Sequence, residues 1–423
     1  MRKTRSTAMI LTAMVAAASM ALAGCGSASN GASGDSVADS GGKQDTFVAA
    51  GLFPTTGSMA YIGPSNVAAL KLAVEDINAA GGVLGKDASS VTADTSDADH
   101  ADQNTAAAQS VLSKNPSVVV GPPSSSVVKN SYKQVTAAGV PMISNGATST
   151  AFSGLDDKFF RTIPPDTVQG AVLGQVIAQA GVKNLAITVF NDEYGTSLRD
   201  VVVKTVEDAG VNVVYGEKDT FDPTETNFAS IATAVKATSP DAVLVIAFDQ
   251  TVSLVKALKT AGIDTHKLYM TDGNTVDHSA DFDAGLLEGT VGTIPGAHPT
   301  DDYQKQIKAV DPKVKDFTYA AETYDAVMLA ALAAQKGGSA DGETVAKNLP
   351  AVSGTDGGEK CDSYKACLAL LKDGKDIQYQ GKASIGPFND AHDPSTASIG
   401  IYKFDADNKP VFDHAQEGSV PKA

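Results

Sequence analysis

The chain has 423 residues, with 33 Lys and Arg against 49 Asp and Glu and a formal net charge of −16. An acidic chain with no basic patch is unsuited to neutralising nucleic-acid phosphates, so a nucleic-acid partner is not expected. The length exceeds what one hydrophobic core comfortably serves, and two domains are expected. At the N-terminus, Arg2, Lys3 and Arg5 precede an apolar stretch from Ala8 to about Ala23, closed by Leu22-Ala23-Gly24-Cys25. The stretch is Ala-rich and short for a hydrocarbon core of ~30 Å. Small residues ahead of a Cys at its end are the pattern of a bacterial lipoprotein signal. On this reading residues 1–24 are a signal peptide, and Cys25 becomes the first mature residue and carries more than one acyl chain, as stable anchoring requires. Residues 25–45 are rich in Gly, Ser, Ala and Asp and are expected to form a flexible tether.

Short β-rich runs then alternate with longer helical patterns. Thr46–Leu52 reads as a strand. Asn66–Ala80 carries Ala69, Leu70, Ala73, Val74 and Ile77 at helical spacing and stops at Gly81-Gly82. Val91–Asp94 reads as a strand and Asp102–Ser113 as a helix opened by Asp102 near its cap. Ser117–Gly121 reads as a buried strand, Ser126–Ala138 as a helix, and Pro141–Ser144 as a strand. After Arg161–Pro165 the rhythm resumes with helices over Asp166–Ala180, Tyr194–Ala209, Asn227–Ala237 and Gln250–Ala261. Between them lie strands over Asn184–Phe190, Val211–Tyr215, Ala242–Ala247 and Lys267–Thr271. Continuous apolar strands alternating with amphipathic helices predict α/β architecture with parallel sheets covered on both faces. Candidate crossings near Ile163, Ile294 and Ile385 divide the chain. Residues 46–163 and 296–385 form an N-terminal lobe, 164–295 and 386–415 a C-terminal lobe, and 416–423 a tail. The fold expected is two doubly wound lobes joined by a three-crossing hinge.

Several motifs in this order resemble one family. Phe53-Pro54-Thr55-Thr56-Gly57 follows the first strand. Ile77-Asn78-Ala79-Ala80-Gly81-Gly82-Val83-Leu84-Gly85 ends the first helix. Gly121-Pro122-Pro123-Ser124-Ser125-Ser126 and Ile143-Ser144-Asn145-Gly146-Ala147-Thr148 are loops after strands. Asp192-Glu193-Tyr194-Gly195 and Tyr324-Asp325-Ala326 complete the set. Each is weak alone. Together, over nearly all of Phe47 to Phe404, they resemble the leucine/isoleucine/valine-type periplasmic binding proteins, the substrate-binding components of ABC importers. The resemblance implies a type I periplasmic-binding fold closing on a small solute, most readily a branched-chain or hydrophobic amino acid, and delivery to a permease in the membrane. It implies that Ser125 donates to the ligand carboxylate, that the Gly146 carbonyl accepts from the ammonium, and that Thr148 contacts both. Tyr194 would close over the ligand and Asp272 would meet its ammonium. Tyr61 or Ile62, Phe248 and Tyr319 are candidates for the wall around the ligand side chain, or ordinary core.

Independent physics favours the same loops. Ligands of open α/β sheets sit beyond the carboxyl ends of the strands, and Ser124–Ser126 stands where free N–H groups at a helix start suit a carboxylate. The serines could equally be plain helix caps, and Asp272-Gly273 a strand-end turn. Apart from Cys25 the cysteines are Cys361 and Cys367, with five residues between them. In a secreted chain they read as a disulfide, with free thiols or half a zinc site as alternatives.

Other signals lead elsewhere. Gly81–Gly85 follows a helix, whereas a dinucleotide fingerprint follows a strand. Asp94, Asp97, Asp99 and Asp102 lack the Gly and Glu of a calcium loop. The six His are scattered, no metal or cofactor is expected, and no G-x-S-x-G elbow is present. The chain therefore reads as a monomeric, non-enzymatic solute-binding lipoprotein on the outer face of the cytoplasmic membrane. The alternatives are the same role with a carboxylate, amide or other small polar ligand, or a ligand-sensing module.

Overall fold

The computed structural model describes residues 44–420; Cys25, the signal and the tether lie outside that range. In chain order the first lobe begins with β1 (Val48–Phe53), α1 (Gly63–Ala79), β2 (Ser89–Asp94), α2 (Ala101–Leu112), β3 (Val118–Val120), α3 (Ser125–Ala137), β4 (Met142–Ser144) and β5 (Phe159–Arg161). The second lobe follows with α4 (Asp166–Gln179), β6 (Asn184–Val189), α5 (Glu193–Asp208), β7 (Asn212–Tyr215), α6 (Ala229–Ala237), β8 (Ala242–Ile246), α7 (Gln250–Thr260), β9 (Leu268–Met270) and β10 (Val291–Pro295). The chain then returns to the first lobe as α8 (Asp301–Val310), α9 (Ala320–Gly337), α10 (Gly342–Ser353), β11 (Glu359–Cys361), α11 (Tyr364–Lys372) and β12 (Ile377–Tyr379). It ends in the second lobe as the hairpin β13 (Thr396–Phe404) and β14 (Pro410–Ser419).

The first sheet runs β2-β1-β3-β4-β5, every pair parallel. The second runs β14-β13-β10-β9-β8-β6-β7, parallel from β10 to β7 and antiparallel through the terminal hairpin. Strands such as β3 (VVV) and β8 (AVLVI) are buried throughout, as a central parallel strand covered by helices must be. Helix α9 is buried from Ala320 to Ala334; its many alanines let α1 and α10 pack closely against it. Among the described residues no helix is long and apolar enough to cross a membrane.

Three crossings link the lobes: after β5, after β10 and between β12 and β13. At the second, Gly296 has φ +98°, and a Cβ there would collide with the Glu322 carboxyl; the chain can turn back only through glycine. Cys361 and Cys367 are joined as a disulfide, tying β11 to α11.

One expectation needs correcting. The segment 416–423 is not wholly a tail: β14 continues to Ser419, paired with β13 back to Thr396. Asp102 stands near the cap of α2 as read: the cap position is His100, and Asp102 lies in the first turn, where its charge favours the helix. Tyr319 is the N-cap of α9 in left-handed conformation, φ 61°.

Candidate functional site

The first lobe contributes two loops beyond the carboxyl ends of β3 and β4. Ser124 caps α3, its Oγ accepting from the Val127 N–H at 3.3 Å. Ser125 Oγ accepts from the Ser149 N–H at 3.3 Å, so its hydroxyl ties one loop to the other and keeps its proton free to donate. Ser144 Oγ donates to the Pro122 carbonyl at 2.7 Å and accepts from the Ala147 N–H at 3.0 Å. Gly146 is packed so closely that a Cβ would come within 2.8 Å of the Tyr319 ring. Thr148 is fully buried, and its Oγ1 has no hydrogen-bond partner.

The buried Arg161, at the end of β5, holds the second loop from behind. Its Nε pairs with Asp393, its Nη1 donates to the carbonyls of Ser149 (2.8 Å) and Ala147 (3.3 Å), and its Nη2 donates to Ser153 Oγ at 2.8 Å. Sequence reading missed this residue, since a lone Arg at a strand end carries no motif.

Asp272 lies just past β9 in the second lobe, with 3% of its surface exposed. The Tyr194 hydroxyl lies 2.7 Å from its Oδ1, Gln169 Nε2 donates to the same oxygen at 2.8 Å, and the Tyr319 hydroxyl donates to Oδ2. Burial pushes the Asp272 carboxyl up, and these three donors pull it down. A carboxylate offers about four lone-pair positions; three are filled and one, on Oδ2, remains. Tyr319 therefore touches both sides of the site, seated against Gly146 and bonded to Asp272. The Tyr61 hydroxyl approaches the Gly273 carbonyl at 3.4 Å. Phe248 stacks on Tyr194 with centroids 5.7 Å apart and planes 6° apart. Tyr319, Asp272, Tyr194 and Phe248 thus form one connected group, with the Gly146 loop on one side and Tyr61 beside Gly273.

One further group escaped the sequence reading. Asp166 opens α4, completely buried, with no hydrogen-bond partner on either carboxyl oxygen. Burial pushes it up to about 7. The hydroxyls of Thr148 and Ser197 stand near enough to ease its charge, but neither closes a hydrogen bond on it.

A polar clasp joins the lobes beside the site. Ser126 Oγ donates to Asp192 at 2.6 Å and accepts from the Glu193 N–H at 3.2 Å. Glu193 also receives Lys129 Nζ at 2.8 Å and Ser149 Oγ at 3.0 Å. The Thr150 N–H donates to Ser197 Oγ at 3.0 Å. Next to the clasp is an interlobe cavity of about 300 Å³, its wall including Met59, Asp97, Ser124, Phe190, Phe248 and Asp249. None of Ser124, Ser125 or Ser126 has a His partner, so no nucleophile–base pair is assembled there.

The periplasmic binding protein family matches residues 46–365. The chain belongs to that family. Over 315 residues this binding protein is 32% identical to the leucine-, isoleucine-, valine-, threonine- and alanine-binding protein of Pseudomonas aeruginosa, covering 73% of this chain and 83% of the relative. Two solved structures share the fold. The branched-chain amino acid transporter substrate-binding protein of Streptococcus pneumoniae, in complex with isoleucine, has a TM-score of 0.71 at 20% identity, covering 89% of this chain and 100% of that one. A solute-binding protein of an ABC transporter from R. palustris, in complex with 4-hydroxybenzoate, has a TM-score of 0.68 at 18% identity, covering 89% and 98%. The family is one of periplasmic binding proteins, extracytoplasmic and not enzymes.

Proposed function

We propose that this binding protein captures an amino acid between its lobes and passes it to an ABC permease. The observation that supports this most is Asp272: a buried carboxylate with one acceptor position left, linked through Tyr319 to the Gly146 loop. A zwitterion leaving water needs partners for both charged ends. Ser125 and Thr148, at strand-to-helix loops, serve the carboxylate; Thr148, the Gly146 carbonyl and Asp272 serve the ammonium. Tyr194 closes over the ligand, and Tyr61, Phe248 and Tyr319 wall its side chain. The relative from P. aeruginosa is named for binding leucine, isoleucine, valine, threonine and alanine, which supports an amino acid as the solute.

A second reading is favoured by the Tyr194–Phe248 stack, a surface on which an aromatic acid could lie; a structural neighbour holds 4-hydroxybenzoate. Calorimetric and thermal-shift titrations with leucine, isoleucine, valine, alanine, threonine and 4-hydroxybenzoate separate the two. The expected result is stabilisation by at least one amino acid, about 2.7 kcal/mol at a hundredfold excess over Kd, and none by the benzoate. Binding of the benzoate alone would transfer the site to aromatic carboxylates.

The chain acts as a monomer held at the outer face of the cytoplasmic membrane by acyl groups on Cys25. Support comes from Leu22-Ala23-Gly24-Cys25 behind a basic N-terminus. Cys25→Ser should leave the precursor unprocessed or release the protein into the medium. Membrane fractionation with unchanged processing and retention would refute the anchor.

A further inference from the structure

We propose that Glu322 makes closure of the lobes take up a proton: its carboxyl is lodged where the three crossings meet, and shutting the cleft deprives it of the water it needs to ionise. This rests on the reading that the lobes close on a solute and goes beyond it, since Glu322 is in none of the loops assigned to the ligand.

The placement carries it. Glu322 lies in the first turn of α9, in the first lobe, with 3% of its surface exposed. The first crossing reaches it through Thr162, whose Oγ1 donates to the Glu322 carbonyl at 2.8 Å. The second passes against its carboxyl at Gly296, where a Cβ would collide with Oε1. The Gly296 N–H in turn donates to the Ser398 carbonyl at 2.8 Å, on the strand that the third crossing enters. Any swing of the second lobe about these crossings shifts Gly296 against α9. In the structure the lobes are shut, with Tyr319 of the first bonded to Asp272 of the second and Ser126 bonded to Asp192.

Nothing around the carboxyl compensates a charge. Its Oε1 is buried without a hydrogen-bond partner. On α9 itself Asp325 adds a like charge. Tyr303 of α8 and Tyr402 of β13 are near enough to feel Glu322. The Tyr303 hydroxyl, however, donates to the Ala320 carbonyl at 2.8 Å, and the Tyr402 hydroxyl faces His298 Nδ1 at 3.0 Å. Asp316 acts on Tyr402 as a further acid. Lys382 sits over the Tyr303 and Tyr324 rings, 5.0 and 4.9 Å from their centroids, and acts on Asp325. Among the described residues no cation eases the charge of Glu322. A buried carboxyl in such a place is far less costly with its proton on. Burial accordingly pushes Glu322 well above the ordinary glutamate range; its own N–H pulls the other way, and Asp325 adds to the rise.

With the cleft open, water reaches the carboxyl and it ionises near the ordinary value. Between that value and the raised one, only the closed form holds the proton. Closure therefore takes one up in that window, and solute affinity falls as pH rises, by up to tenfold per unit. Below the window both forms are protonated and the dependence vanishes.

The test is calorimetry of the full mature chain with leucine at pH 6.5, in phosphate and in imidazole, whose ionisation enthalpies differ. Glu322→Gln keeps the shape of the neutral acid and removes its titration, so it should take up about one proton fewer per leucine than wild type. The Kd of wild type relative to the variant should climb about tenfold per pH unit between 6 and 7. Comparison with the variant cancels protons exchanged at other carboxyls. Equal proton counts and parallel pH profiles would overturn the role of Glu322. Should Glu322→Gln not fold, Glu322→Leu repeats the comparison. Should neither fold, infrared difference spectra of wild type should show a protonated-carboxyl band gained on leucine binding, and its absence would overturn the role as well. If leucine does not bind and 4-hydroxybenzoate does, the amino-acid reading fails, while the same comparison run with 4-hydroxybenzoate still decides Glu322.

Discussion

Asp272→Asn should weaken amino-acid binding by at least tenfold and leave the fold intact. The substitution keeps the shape and one acceptor oxygen but removes the charge. A hydrogen bond to a charged group contributes roughly 1.5–3 kcal/mol, or about one to two decades in Kd. The carboxylate at this place is buried and already receives Tyr194, Gln169 and Tyr319, so water cannot substitute for the lost charge. The loss should be specific to the ammonium. An amino acid and its deaminated analogue, titrated into wild type and variant, should diverge in wild type and converge in the variant. If the analogue binds wild type as tightly as the amino acid does, Asp272 is not an ammonium partner and the solute is a carboxylate or a neutral compound.

Arg161→Met should lower the stability of the protein by about 3–5 kcal/mol, the usual cost of removing one member of a buried ion pair. Arg161 is wholly buried and Asp393 nearly so. The variant would strand the Asp393 carboxylate, which retains only the Ser153 hydroxyl at 2.7 Å. It would also free the carbonyls of Ala147 and Ser149. A double variant, Arg161→Met with Asp393→Leu, should recover much of the loss, because a paired apolar replacement leaves no orphaned charge. Urea unfolding of wild type, single and double variants provides the measurement. A single-variant loss below about 1 kcal/mol would mean that the pair contributes no more than a surface ion pair. Such a result would remove Arg161 from the support of the site.

The parallel sheets were legible because their strands are continuous apolar runs. Ala242–Ile246 and Val118–Val120 have no polar face to hide, and only a doubly covered sheet accommodates them. The loops of the site were legible for a related reason: Ser124–Ser126 and Gly146–Thr148 follow such strands directly. The terminal hairpin was not. β14 has only exposed and half-buried residues from Val411 to Gly418 and so no apolar run to mark it, and β13, its partner, is placed in the sheet by β10, about a hundred residues earlier. Asp166 and Arg161 were invisible for another reason. Their meaning lies in what surrounds them: an Asp after two prolines reads as a helix start, and only the enclosure around it shows that its oxygens are unanswered.

The clasp between α3 and α5 bears on how tightly and how selectively the cleft holds its contents. Ser126, Lys129, Asp192 and Glu193 bond to one another across the lobes, and these contacts do not depend on what is enclosed. A contribution common to all solutes moves every Kd by the same factor and leaves their ratios alone, as differential affinity alone distinguishes one ligand from another. Retention and discrimination are therefore tuned by separate sets of residues. Drift in the clasp would reset the solute concentration at which the cleft fills, while its choice among solutes stays with the residues that surround Asp272.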